Sequence, residues 1–215
     1  MITLAMLMKD PPLDRLAMLL DYVAPVVGQV VVVVDDRTSE DDRQAVSRLI
    51  GFAGSQLVPF TWVDDFAAAR NAALPYATGD WILHLDPDEL PSAAMLAFLS
   101  AVDASEWGDV IWQAAVYPAP RGYLFFTRNY FDGRKGEEYE EHWHCRLFRR
   151  DRGRWYKPVH EQVELEGRPE PITRGMPWLP KAPRAAYLIH SRMNDARIDE
   201  QYVALGERGQ SGAPA

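Results

Sequence analysis

The chain has 215 residues, 47% of them apolar, with seven Trp, nine Tyr and eight Phe, which excludes disordered and fibrous classes and allows one domain with a substantial core. A formal charge of −8 makes the average surface repel phosphate polymers, so bulk nucleic-acid binding would need a local basic patch. The single cysteine, Cys145, excludes an internal disulfide. No apolar run approaches the ~18 residues of a membrane span, so a soluble, cytoplasmic protein is expected.

Residues 2–8 are an apolar run that predicts a buried first strand. Asp10 is placed to cap a helix, Pro11 or Pro12 suits its first turn, and Leu13, Leu16, Leu20 and Val23 recur at helical spacing. Residues 30–34 are five consecutive valines, the pattern of a strand covered on both faces, and they end in Asp35-Asp36. Thr38 or Ser39 can cap the next helix, which runs to Gly51. Residues 57–60 predict a third strand, 66–77 a third helix and 81–85 a fourth strand. This β-α-β-α-β-α-β order implies a Rossmann-like α/β sheet, whose ligands bind beyond the carboxyl ends of the strands.

After a helix over 92–102 the pattern changes. Residues 110–117, 123–130, 142–148, 155–163 and 185–190 read as strands separated by Pro, Gly and charged turns, which predicts a mixed or antiparallel extension of the same sheet. Residues 168–184 are rich in Pro and predict a long loop, placed to act as a lid, and the final SGAPA predicts disorder. The sequence contains no internal repeat, no GxGxxG and no P-loop.

The fourth strand ends in DPDEL, where Asp86, Asp88 and Glu89 fall within four positions. Like charges so close repel, and their desolvation is unfavourable unless a cation or hydrogen bonds compensate. An extended Asp-x-Asp segment lets two carboxylates approach one Mg²⁺ or Mn²⁺, a hard cation that takes oxygen ligands and shares them with substrate phosphates.

Three segments in order, VVVVVDDRTSEDD at 30–42, WVDDFAAARNAALPYATGDWILHLDPDEL at 62–90 and CRLFRRDRGRWYKPVHEQV at 145–163, resemble the family 2 glycosyltransferases of the GT-A fold. Arg37 stands where a Gly is common. The resemblance implies a Rossmann-like α/β/α sandwich with a mixed central sheet. It also implies a nucleotide-sugar donor, most simply a UDP-sugar, and a Mn²⁺ or Mg²⁺ cofactor. It places Asp36 on the nucleobase with Asp10 nearby, Arg70 and Asn71 against the nucleotide, and Asp86 on ribose or a metal-bound water. Asp88 becomes a metal ligand and His190, at the end of AAYLIH, completes the metal shell. Glu161 is the base that deprotonates an acceptor hydroxyl in an inverting transfer, and His160 orients it or touches phosphate. The implied division is a nucleotide-sugar-binding half over 1–105, an acceptor-binding half of the same domain over 106–193, and a C-terminal helix and tail over 194–215.

His142, His144 and Cys145 invite a zinc reading, but strand alternation puts the two histidines on one face and the cysteine on the other. The strip from Arg146 to Lys157 carries six basic residues with interleaved aromatics. Arg146 or its neighbours are expected to meet a diphosphate or an anionic acceptor, and the strip keeps a nucleic-acid acceptor among the options. Two other readings remain beside the transferase: a nucleotidyltransferase, disfavoured by the absence of a Gly-rich loop after the first strand, and a non-catalytic sugar-nucleotide-binding module.

Overall fold

The structure is a computed structural model that describes residues 1–103, 120–130, 139–169 and 179–191. Four parallel strands come first in the chain: β1 (Ile2–Met8), β2 (Gln29–Asp35), β3 (Gln56–Phe60) and β4 (Trp81–His84). They are joined by the helices α1 (Leu13–Val23), α2 (Glu40–Leu49) and α3 (Phe66–Asn71). A short strand β5 (Glu89–Pro91) and helix α4 (Ala93–Asp103) follow, then β6 (Gly122–Tyr130), β7 (Tyr139–Arg149), β8 (Gly153–Tyr156), β9 (Gln162–Leu165), β10 (Arg168–Pro169) and β11 (Tyr187–Ser191). The main sheet has the order β3-β2-β1-β4-β7-β6-β11-β5, and β8, β9 and β10 form a second, three-stranded antiparallel sheet.

The valine run explains the centre of the sheet. Val30 through Val34 are all fully buried, with Val30 and Val32 packed among Leu16, Leu20 and Val46 on one face. Val31 and Val33 belong to a second buried cluster with Ala67, Ile82 and Trp155 on the other. Both faces are therefore covered, as a parallel sheet requires. The mixed extension also forms: β7 pairs antiparallel with β4 and β6, β11 runs parallel to β6, and β5 closes the edge antiparallel to β11. No helix among the described residues is long and apolar enough to cross a membrane.

Several expectations change in detail. Asp10 does not cap α1; Pro12 occupies the N-cap position without a side-chain hydrogen bond, so the chain enters the helix through proline's fixed φ. Ser39 does cap α2, accepting the Asp42 N–H at 3.1 Å, and that helix ends at Leu49 before Gly51. The third helix stops at Asn71 and continues only as a 3₁₀ turn over Leu74–Tyr76. Pro75 has no N–H to give and disfavours helical backbone at Leu74. The single strand expected over 155–163 is two strands, β8 and β9, because Pro158 and the left-handed Lys157 and His160 break the pairing between them. β5 was not anticipated, being too short to show alternation. The strand expected over 110–117, most of the proline-rich loop, and the C-terminal helix and tail lie outside the described residues.

At the end of the sheet opposite the strand carboxyl termini, Gln29 is buried and spans three segments. Its amide donates to the carbonyls of Gly54 at 2.8 Å and Tyr76 at 3.0 Å, and it accepts from the Thr78 N–H at 2.8 Å and the Thr3 hydroxyl at 2.8 Å. Removing it strands several buried groups at once. A Gln29→Leu variant is expected to lose about 2–4 kcal/mol in urea denaturation; a loss under about 1 kcal/mol would show that these groups find other partners.

Candidate active site

The carboxyl ends of β1 to β4 open into a cavity of about 730 Å³. Its floor carries Met8, Lys9 and Asp10 from the end of β1, one wall carries Phe60, Trp62 and Phe66, and the other Asp86, Asp88 and His190. A second cavity of about 410 Å³ lies beside it and is lined by His84, His144, Arg146, Trp155, His160 and Glu161. Arg70 and Asp86 line both cavities, and so form the wall between them.

The three carboxylates of DPDEL have three different fates. Glu89 turns inward, is 2% exposed, and pairs with Arg146 at 2.5 Å while accepting the Asp86 N–H at 2.9 Å. The reciprocal bond from the Glu89 N–H to the Asp86 carbonyl, at 3.0 Å, closes the turn around Pro87, whose ring fixes φ there. Asp86 accepts from both terminal nitrogens of Arg70 at 3.2 Å. Asp88 points into the first cavity and meets His190 Nε2 at 3.2 Å. The pairing of β11 with β5 brings this about, since His190 sits directly across from Glu89 in the register.

These environments set the protonation states. Burial pushes the Asp86 carboxyl up, but Arg70, His84 and Arg146 together outweigh it and hold the group well below the usual carboxylate range. Burial pushes Glu89 up to about 7, with the Asp86 charge adding to the rise and Arg146 opposing it. The Asp88 hydrogen bond raises His190, so its imidazolium is favoured against burial. Burial and the Arg146 charge push His144 down to about 4, which leaves it neutral at pH 7.

Arg70 is held by α3. Ala67 and Ala69 are buried small residues that let the helix lie against the sheet, and Asp65 caps its start by accepting the Ala68 N–H at 2.9 Å. The guanidinium, 9% exposed, donates through Nε to Glu161 at 2.6 Å. Three carboxylates and two arginines are thus interlocked below the cavities. Glu161 arrives on the loop between β8 and β9, which the Pro158 carbonyl ties to α3 by accepting the Phe66 N–H at 2.9 Å. In that loop Lys157 has φ 71° and His160 φ 54°, a backbone that non-glycine residues adopt at a cost.

Other expected site residues fall elsewhere. Asn71 lines neither cavity; its amide donates to the Trp155 carbonyl at 2.8 Å and accepts the Trp155 N–H at 2.9 Å, so it fastens β8 onto α3. Asp36 accepts from the Thr61 hydroxyl at 2.7 Å, and it is Asp35 that lines the first cavity. Asp35 is clasped by Arg37 through the backbone N–H and Nε, both at 2.9 Å, and Nη2 at 2.5 Å, which holds its carboxyl well below the usual range. His142 and His144 have ring centroids 6.1 Å apart, and no group of three His, Cys, Asp or Glu among the described residues is arranged to hold a metal. The basic strip is largely paired internally: Arg149 lies over Trp81, Arg150 donates to the Gly79 carbonyl, and Arg152 and Arg154 pair with Glu166 and Glu164.

Sequence reasoning missed His84, Asp35 and Arg37. A signal for His84 existed, because it is the one polar interruption in the apolar run WILHL. Asp35 was hidden by its neighbour, since the two adjacent aspartates cannot be ranked without the strand's face.

A TPR repeat-containing protein of Synechococcus elongatus is 40% identical over 88 residues, which is 41% of this chain and 20% of that protein. Among solved structures, S. aureus TarS residues 1–349 in complex with UDP-GlcNAc matches 97% of this chain and 65% of its own, with 11% identity and a TM-score of 0.48. The mannosyltransferase PcManGT from Pyrobaculum calidifontis, in complex with GDP-Man and Mn²⁺, matches 59% of this chain and 35% of its own, with 22% identity and a TM-score of 0.43. The chain therefore spans about a fifth of the curated relative and two thirds or less of these two structures. The α/β arrangement with a mixed central sheet expected from the sequence is borne out by the strand order itself. The family model described as glycosyl transferase family 2 matches residues 29–152, more than half of the chain, and the chain belongs to that family.

Proposed function

We propose that this chain transfers a sugar from a nucleoside diphosphate sugar to an acceptor hydroxyl, with inversion at the anomeric carbon. The observation that carries the reading is the placement of unlike groups on the two sides of one wall. Asp88 and His190 line only the first cavity, His160 and Glu161 only the second, and Arg70 and Asp86 stand between them.

The nucleotide occupies the first cavity. At its aromatic end Asp35 offers an acceptor and Arg37 offers donors, a pair suited to the adjacent N–H and C=O of uracil, while Asp10 lies close by. A divalent cation, Mn²⁺ or Mg²⁺, fits the other end. Asp88, in the turn before β5, and His190, on β11, approach within 3.2 Å and are the two side chains that would hold it, His190 giving up the proton it otherwise shares with Asp88. Asp86 is taken up by Arg70, so it orients the wall rather than joining that pair. A bound cation would supply charge neutralisation to the departing diphosphate.

Glu161 takes the proton of the attacking hydroxyl as that oxygen bonds to the anomeric carbon and the carbon–oxygen bond to the diphosphate breaks. Arg70, donating to Glu161 on one side and Asp86 on the other, keeps the carboxylate at the wall where donor and acceptor meet. His160 is held beside it by the strained loop. Arg146, bound to Glu89, supports the wall from below. In the basic strip Arg152 and Arg154 are paired with carboxylates, whereas Arg149, Arg150 and Lys157 meet only neutral partners among the described residues, so a saccharide, a protein and a modified DNA base all stay candidate acceptors for the assay below.

Calorimetry with UDP-, GDP-, CMP- and dTDP-sugars in the presence of Mn²⁺ is expected to show binding of a UDP-sugar that chelator abolishes. If no member of the panel binds, the reading is wrong. Mass spectrometry of saccharide, protein and DNA acceptors after incubation with the same donors identifies the product. Glu161→Gln is expected to retain donor binding and lose about 10² to 10⁴ in kcat. Asp88→Asn should lose both metal-dependent binding and turnover, and parental turnover by this variant in chelator would contradict the metal site. His160→Gly relieves the left-handed backbone, so it is expected to gain up to about 1 kcal/mol in denaturation while turnover falls; a variant that gains stability and keeps full turnover removes His160 from the site.

A further inference from the structure

The proposed reaction gives no task to the aromatic wall of the first cavity, where Phe60, Trp62 and Phe66 stand. The segment that carries them is fastened to the end of β2. Phe60 lies directly across from Asp35 in the strand register, its carbonyl accepts the Asp36 N–H at 3.0 Å, and the Thr61 hydroxyl donates to Asp36 at 2.7 Å. Trp62, the next residue, is thereby brought to the end of the cavity that Asp35 and Arg37 line.

The indole is held from two sides. Its N–H donates to Asp64 Oδ1 at 2.8 Å, and its ring meets Phe66 edge-to-face, with centroids 4.7 Å apart and planes at 72°. Asp64 makes that bond from a left-handed backbone, φ 55°, a conformation that persists where the surroundings hold it. The Trp62 side chain is nevertheless only half-buried, and Phe66 is 40% exposed. An indole has one polar atom, a donor, and Asp64 already receives it. What Trp62 offers the cavity is therefore flat hydrocarbon surface, at the end where a carboxylate and a guanidinium can hydrogen-bond an edge. Apolar faces and a polar edge together describe a planar heteroaromatic ring.

We propose, on the basis of the nucleotide-sugar reading above, that Trp62, held by Asp64, is the platform on which the donor's nucleobase stacks. The indole covers a face of the base while Asp35 and Arg37 meet its edge. Part of the nucleotide affinity then comes from the segment between β3 and α3, apart from the Asp88–His190 end, where a diphosphate and a cation gain nothing from an aromatic surface.

Calorimetry with UDP, GDP, CMP and dTDP in Mn²⁺ tests this, with the tightest of the four as the probe for the variants. Trp62→Leu keeps apolar bulk and loses the flat ring; the folded variant is expected to bind the probe about five- to hundredfold more weakly, the range of one base–aromatic stack. Trp62→Phe restores a flat ring and is expected to recover most of that loss. Asp64→Gly adopts the left-handed backbone freely and removes the bond to the indole, and is expected to weaken the probe severalfold. Parental affinity in Trp62→Leu or in Asp64→Gly, or equal weakening in Trp62→Leu and Trp62→Phe, overturns the proposal and leaves the transferase reading intact. If none of the four binds the wild-type protein, the platform falls together with that reading. The expected pattern of variants without transfer of any sugar would count against the transferase and leave the platform standing.

Discussion

The structure depends on how the end of β4 disposes of its negative charge. Burying a carboxylate alone costs several kcal/mol, and two or three within four residues would repel each other as well. Two arginines from distant parts of the chain resolve the conflict: Arg146 from β7 reaches Glu89, and Arg70 from α3 reaches Asp86. Desolvation offsets much of the attraction within such pairs, so neither is an argument for stability. What they provide is direction. With Glu89 drawn inward and Asp86 drawn to the wall, Asp88 is left as the member of the trio that meets His190 in the first cavity.

The topology makes that arrangement reachable. Parallel strands deliver the ends of β1 to β4 to one rim, which is where open α/β sheets bind ligands. The antiparallel strands then bring later sequence back to the same rim: β7 supplies Arg146 next to β4, and β11 returns to pair with β5 and present His190. Glu161 comes from outside the main sheet, on a hairpin of the small one. Its position therefore rests on the Phe66–Pro158 bond and on the two Asn71 bonds to Trp155, which hold that hairpin to α3. Asn71 contributes to the site through this fastening and makes no contact with either cavity.

What could be read in the sequence follows from the range of each signal. Strands β1 and β2, helix α1 and the parallel order are written in local periodicity and composition, and they form as expected. Asp88 and His190 could be named because a resemblance tied two segments a hundred residues apart, and their contact is then visible in the structure. Long-range pairing has no such signature. Nothing in DPDEL says which acid is buried, because that depends on the arginine each one meets. Asp36 could not be distinguished from Asp35 for the same reason: the valine run extends one residue further than its apolar composition, and Asp35 is the last residue of the strand. The end of α3 was misjudged because the alanine run favours helix up to Pro75, and proline overrides propensity there.

Arg37 stands where the resemblance leads one to expect a Gly, and the structure gives that difference a physical content. A glycine at that position would keep only the backbone N–H bond to Asp35 and leave the rest of the carboxylate uncovered. Here three of its hydrogen bonds are already made by Arg37, which at the same time is more than half exposed and borders the cavity. A carboxylate has about four lone-pair sites, so Asp35 keeps room for one further donor, and in the proposed reading a second contact to a base would come from the guanidinium, which can only donate. In the proposed reading the two residues would act together, with one acceptor face and one donor face. An edge with an N–H beside a carbonyl satisfies both, whereas the N3 and exocyclic amine of cytosine present acceptor and donor in the reverse order. The arginine does more than close a loop, since in that reading it would convert a general acceptor into a group with a preferred orientation of base.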